Sequence, residues 1–181
     1  MRIRLVTLAL AAIGLLGAPF SGATTIIPAA DPGELALDSQ AVFLARAGGS
    51  TVQHRSGHLS TVTKLEVLSV VKGALRSGDR VEIATPGGER DGMGWAVAGS
   101  PNLAPDQVYL FFADLDERGI WQPRLLADSV LQRAAAKDGT VILVPLPESA
   151  QIERMSGFGP TAALVPAPVD EKRFLDALQQ R

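Results

Sequence analysis

The stretch spanning residues 61–112 constrains this chain most. Apolar, strand-like runs over residues 61–71, 80–84 and 108–112 are separated by Lys72-Gly73, Pro86-Gly87-Gly88 and Gly99-Ser100-Pro101. Each break carries a residue that turns easily or cannot continue a ladder, so the runs are expected to be short antiparallel strands. Thr61, Thr63, Leu65 and Val67 fall on one face of the first, with Lys64 and Glu66 on the other. The alternation slips after Val67, and a β-bulge near Leu68-Ser69 is expected there. Val81 and Ile83 oppose Arg80 and Glu82, as in a half-exposed strand. The unbroken Val108-Tyr109-Leu110-Phe111-Phe112 run reads as a strand over 107–113 buried on both faces. Residues 85–94, with glycines at 87, 88, 92 and 94, read as a flexible lobe or tight turn, followed by a short strand over 95–98.

The flanks extend this pattern. Asp31, Pro32 and Glu34 form a capping-box start for a short helix over 32–39. A strand over 41–47 follows, and Gly48-Gly49-Ser50 is expected to break it. Residues 51–57 read as a loop or frayed hairpin. Asp138-Gly139, between strand-like runs at 129–137 and 140–144, is the strongest hairpin signal. Residues 145–168 hold five of the 12 prolines and read as a connecting strap. Residues 169–181 read as a C-terminal helix, capped at Asp170 with Phe174, Leu175 and Leu178 on one side. Six to eight short strands with little helix make an all-β domain over residues 24–144, followed by the strap and the C-terminal helix. A small antiparallel OB-like, partly open barrel and a sandwich both fit this spacing.

Arg2 and Arg4, the apolar run 5–16 and Ser21-Gly22-Ala23 have the form of a secretory signal over residues 1–23. The run is short of the roughly 20 residues a membrane-spanning helix needs. Export to the periplasm or outside the cell is therefore expected, with cleavage near Ala23 and no stable membrane span afterwards. Without Arg2 and Arg4 the chain keeps 15 basic residues against 19 acidic ones, so a nucleic-acid surface is not expected. There is no cysteine, which excludes disulfide and thiolate chemistry. The fold must then be held by its core.

The motif Val70-Val71-Lys72-Gly73, the run from Val81 to Gly88, Val97-x-Gly99-x-Pro101, and Pro105-x-x-Val108-Tyr109-Leu110-Phe111-Phe112 resemble a group of exported bacterial β-barrel domains. Those are similar to the OB-fold modules of netrins and tissue inhibitors of metalloproteinases, and some precede matrixin-like protease domains. The resemblance covers roughly residues 38–144. It implies an OB-like barrel and, as partner, an exported protease or other envelope protein. The chain departs from the pattern at Ala45 and Asp106, where glycine is more usual. The animal inhibitors chelate zinc through an N-terminal cysteine, which is absent here, so no inhibitory residue carries over. There is no His-Glu-x-x-His either, and hence no protease domain.

His54 and His58, the only histidines, are weak metal candidates. In an extended strand they would stand roughly 13 Å apart, too far to share an ion. Ser56, His54 and Asp91 form a triad only on paper, because nothing in the sequence orients them. Asp114, Asp116 and Glu117, beside Arg118-Gly119, read as a solvated turn rather than an acid–base or calcium site. The glycines at 87–94 lack the Lys-Ser/Thr and following helix of a phosphate loop, and are expected to serve turning and close strand crossing. Trp95, Trp121 and Tyr109 are the aromatics suited to a ligand surface, with core or rim packing as the competing reading, favoured for Tyr109.

The expected function is therefore a non-enzymatic exported binding module without cofactor. Its candidate site is Gly87, Gly88, Gly94, Trp95 and Trp121, with the 54–58 loop and the terminal helix as further contact regions. A structural envelope protein, or a metal-dependent hydrolase built on His54 and His58, are the competing readings.

Overall fold

The computed structural model describes residues 25–28, 30–156, 159–161 and 163–180. The secretory signal expected over residues 1–23, with its expected cleavage near Ala23, lies outside the described residues. In chain order the elements are β1 (Thr25–Pro28), α1 (Pro32–Asp38), β2 (Ala41–Arg55), β3 (His58–Lys72), β4 (Arg80–Pro86), β5 (Gly88–Arg90), β6 (Met93–Trp95), β7 (Val108–Leu115), β8 (Trp121–Pro123), β9 (Val130–Ala135), β10 (Val141–Pro145), β11 (Ile152–Ser156), β12 (Gly159–Thr161), β13 (Val169–Asp170) and α2 (Glu171–Gln179). The molecule is mostly β. Eight strands form one sheet in the order β13-β10-β9-β7-β2-β3-β4-β8, and β8 also pairs with β7. The pairings β7-β2-β3-β4-β8 thus form a closed circuit.

The two 15-residue strands β2 and β3 dominate this sheet. Strands of that length bend by bulging. Leu68 and Val71 stand outside the β2–β3 register, which confirms the bulge expected near Leu68. Gly48 and Gly49 together oppose only Lys64, and the ladder resumes at Ser50↔Thr63. The glycine pair therefore bends β2 instead of ending it, because β3 continues alongside and keeps the backbone groups paired. Residues 51–55 belong to that strand, and Ser56-Gly57 make its turn.

Alternation along β2 and β7 divides the core in two. Phe43, Ala45, Tyr109 and Phe111 face one side with Leu65, Val67, Ile83 and Trp121. Val42, Leu44, Leu110 and Phe112 face the other with Leu35, Leu131 and Leu143, where Phe174, Leu175 and Leu178 of α2 cover them. This explains why residues 109–113 are all buried.

Helix α1 starts as expected. The Asp31 carboxylate accepts the N–H groups of Gly33 and Glu34 at 2.7 and 3.0 Å, and the Glu34 carboxylate accepts the Asp31 N–H. Its far end is closed by the Lys72 ammonium, which donates to Ala36 O at 2.9 Å and Leu37 O at 2.5 Å. The cation thus meets the negative end of the helix dipole.

Three further segments differ from expectation. Residues 85–95 are ordered into the end of β4 and a β5–β6 hairpin. The short strand expected over 95–98 stops at Trp95, because from Ala96 the backbone leaves the ladder. The proline-containing stretch contains a 3-10 turn over Pro147–Gln151 and the strands β11 and β12. β11 pairs in parallel with β1, bringing residues 25–28 beside residues 152–155 in a three-stranded sheet with β12. Asp128, in the 3-10 turn Leu126–Ser129, pins β11 through a buried ion pair with Arg154, whose guanidinium also donates to Ser149 O and Ile152 O at 2.8 Å each. Among the described residues, no helix is long and apolar enough to cross a membrane.

Candidate functional site

An open cleft of about 730 Å³ lies where the β5–β6 hairpin and the segment 96–103 meet the ends of β2, β3 and β4. Its floor follows from strand register. Ser50 pairs with Thr63, and Thr61 pairs with Thr85. Paired residues share a face, and so do residues two apart. These four hydroxyl residues therefore lie on the same face as the core residues Leu65, Val67 and Ile83. The inner face is apolar at one end and hydroxyl-lined at the other.

The hydroxyls are held in place. Ser50 and Thr63 share a hydrogen bond of 2.8 Å. Thr61 Oγ1 donates to Gly87 O at 2.9 Å, and Ser100 Oγ donates to Pro86 O at 2.6 Å. Thr63 and Thr85 are almost wholly buried. Each hydroxyl whose proton is committed keeps acceptor lone pairs for a ligand.

Gly87, Gly88, Gly94 and Trp95 all line this cleft, so the structure brings four of the five candidate site residues together. The glycines do two different jobs. Gly87 and Gly88 have φ of +99° and +139°, and a Cβ there would lie 2.8 Å from Trp95 O and from Val52 Cγ1 respectively. They let the hairpin base cross directly over β2 and β3, as expected from composition. A Cβ on Gly94 would meet nothing within 4 Å. Its missing side chain leaves open space.

Trp95 remains 40% exposed, and Met93 beside it 58%. The Trp95 ring stacks on His58 with centroids 4.9 Å apart. The 58 end of the histidine loop and the glycine lobe, two contact regions expected separately, are thus one surface. The terminal helix is not part of it, since α2 packs on the other core face.

Trp121 does not join the cleft. It is buried in the core, edge-on to Phe43 at 5.9 Å, because β8 is wedged between β4 and β7. An indole suits either a surface or a core, and here the core takes it. Tyr109 is buried as well, and its hydroxyl accepts the Ala104 N–H at 2.9 Å. Burial raises the Tyr109 phenol above its ordinary pKa; the Ala104 N–H opposes this, and the Glu148 carboxylate adds to it.

His54 opposes Leu59, and His58 opposes Arg55. The two imidazoles therefore project to opposite faces of the ladder. The hairpin turn makes them near neighbours along the ladder, unlike a continuous strand, yet they still do not converge. Among the described residues no three His, Asp or Glu side chains gather as metal ligands. Nor does any hydrogen bond link Ser56, His54 and Asp91 among them; Asp91 pairs instead with Arg90 at 3.3 Å.

Asp114 and Asp116 organise the turn after β7. Asp114 accepts the Gln40 N–H and pairs with Arg124 at 2.6 Å. Asp116 accepts the N–H groups of Arg118 and Ile120, both at 2.9 Å, and pairs with Arg55. Burial pushes the Asp116 carboxyl up, but the Ile120 and Arg118 N–H groups and the Arg55 guanidinium together hold it below its ordinary pKa.

Ser50, Thr85, Ser100 and Asn102 complete the cleft but were not singled out from the sequence. The available signal was hydroxyl residues at the core-facing positions Thr61 and Thr63, where apolar side chains are usual. In comparison with known proteins, no family model matches the chain, and no curated protein matches it.

Proposed function

We propose that this protein is a non-enzymatic, exported binding module that docks on another exported protein through its β5–β6 hairpin. The observation that carries this reading is the hairpin itself, where Met93 and Trp95 project on one face and stay exposed. Residues two apart on a strand share a face, so they form one apolar patch, with His58 braced behind Trp95. Exposed aromatic and methionine side chains of this kind anchor interfaces.

The architecture in this reading is an OB-like, partly open barrel resembling the netrin and metalloproteinase-inhibitor modules. The closed circuit of pairings β7-β2-β3-β4-β8 supports it. The partner class that the resemblance favours is an exported metalloprotease. Inhibition through an N-terminal cysteine is not part of the proposal, because the chain has no cysteine. Export rests on the leader pattern of residues 1–23.

Affinity purification from the exported fraction of the producing cell, with mass spectrometry, tests the proposal. The wild-type chain is expected to retain a specific protein that is lost on deletion of residues 88–94. It is also expected to be lost in the folded variant Met93→Ser/Trp95→Ala. Recovery of no specific protein, or the same proteins with all three chains, would overturn the reading.

A further inference from the structure

Beyond the protein partner, we propose that the cleft beside the hairpin binds a neutral oligosaccharide. The first observation is the floor. Ser50, Thr61, Thr63 and Thr85 come from three adjacent strands and occupy the inner face that is otherwise apolar. Burying hydroxyls at core positions costs stability relative to the apolar residues that fill the remainder of that face. A scaffold alone does not need them.

The second observation is the direction of the hydrogen bonds. Thr61 donates to Gly87 O and Ser100 donates to Pro86 O, so both hydroxyls offer lone pairs to the cleft. A polyhydroxylated ligand supplies the matching donors. Asn102, on the same wall as Ser100, adds an amide with two donors and an acceptor.

The third observation is the aromatic lip. One face of the Trp95 ring is occupied by His58, and the residue still keeps 40% of its surface exposed. The free ring surface offers an apolar platform, and the C–H face of a pyranose is apolar while its rim is polar. Trp combines an apolar body with a polar N–H, which suits such a ligand.

Charge and size narrow the class. Glu89 is the one ionisable side chain among those lining the cleft. The site therefore lacks the cations that a sulfated or phosphorylated polymer would need. The volume of about 730 Å³ lies in the range of small-molecule sites and suits a short oligomer. An added peptide strand fits the floor less well. Thr61 and Thr63 lie on β3, already paired at both residues to β2 and β4, so the floor presents side-chain hydroxyls and not free main-chain groups.

Gly94 provides the test. A Cβ there meets no atom within 4 Å, yet the residue lines the cleft. Gly94→Leu is expected to add bulk at the cleft wall without backbone strain. Calorimetry and saturation-transfer NMR on the leaderless chain would use three neutral tetrasaccharides: β-1,4-linked N-acetylglucosamine, β-1,4-linked glucose and α-1,4-linked glucose. A sulfated tetrasaccharide and an uncharged hexapeptide serve as comparisons.

At least one neutral tetrasaccharide is expected to bind. Gly94→Leu and, independently, Trp95→Ala are expected to weaken it at least about tenfold, as for a filled or stripped preformed pocket. Met93→Ser, outside the cleft lining, is expected to leave it unchanged. Binding by none of the neutral sugars, stronger binding of the sulfated sugar or the peptide, or undiminished binding by folded Gly94→Leu would each overturn the assignment. None of these results would bear on protein capture through the hairpin.

Discussion

The imidazole of His58 and the indole of Trp95 stack at 4.9 Å with their planes 28° apart. His58 opens β3 and Trp95 closes β6, so the contact ties the tip of the longest hairpin to the shortest one. Further ties are the Gly87 N–H to Leu59 O at 2.9 Å and Thr61 Oγ1 to Gly87 O at 2.9 Å, both at the hairpin base, and Arg90 Nη1 to Val52 O at 3.4 Å. His58 therefore adds a side-chain brace at that base, where Trp95 pairs with Gly88.

Removing that brace should loosen the hairpin locally. An aromatic pair contributes about 0.5–1.5 kcal/mol beyond its buried area. In His58→Ala, amide exchange over residues 88–95 is expected to quicken by about tenfold or less, with β2 and β7 unchanged. Hydrogen-exchange mass spectrometry would show it. Equal acceleration across the whole sheet would contradict the local role.

The glycines lining or flanking the cleft should differ sharply in tolerance. Gly99 has φ of +77°, and a Cβ there would lie 2.4 Å from Ile152 Cγ1. Gly99→Ala is expected to cost about 2 kcal/mol or more, from strain and overpacking together. Gly94→Ala is expected to change stability by less than about 0.5 kcal/mol. Urea denaturation of the two variants provides the comparison.

The Asp128–Arg154 pair should be the most sensitive polar contact. Asp128 is 4% and Arg154 8% exposed. Removing one partner of such a pair strands a buried charge, so Asp128→Ala or Arg154→Ala is expected to cost about 3–5 kcal/mol. The double change Asp128→Leu/Arg154→Met should recover much of this, because no charge is left unpaired. Urea midpoints for the three variants test the order.

Acid stability should carry the mark of Asp116. Its folded pKa is depressed by the Ile120 and Arg118 N–H groups and Arg55, which outweigh burial. A depressed carboxyl contributes stability that is fully present above its unfolded pKa of about 3.9. That contribution is lost as pH falls through the folded value. Asp116→Asn is therefore expected to be less stable near neutrality and to show a shallower loss of stability below about pH 4 than the wild type. Thermal melts from pH 7 to pH 2 measure both.

Much of this fold is legible in local chemistry. The Asp31–Glu34 box, the Asp138-Gly139 turn and the slipped alternation at Leu68 each act within a few residues, and each is realised. Features set by distant partners are not. Gly48-Gly49 looks like a break because nothing nearby shows that β3 continues alongside. The β1–β11 pairing and the Asp128–Arg154 bridge join segments far apart in the chain. Trp121 carries the same side chain as Trp95, and only the wedging of β8 between β4 and β7 decides its burial. For the candidate site, the glycine lobe is legible as a place where the chain turns, and Gly87, Gly88, Gly94 and Trp95 line the cleft. The hydroxyl floor did not stand out, because Ser50 and Thr85 reach Thr61 and Thr63 only through strand register.

The proposed docking role of the hairpin is tested most directly by site-specific photo-crosslinking in the producing cell. A benzophenone side chain would be placed at Met93, in the exposed patch, and separately at Lys137, in the β9–β10 turn away from the cleft. The expected result is a covalent adduct with an exported protein from position 93 and none from position 137. No adduct at position 93, or the same adduct from both positions, would contradict the hairpin as the docking surface.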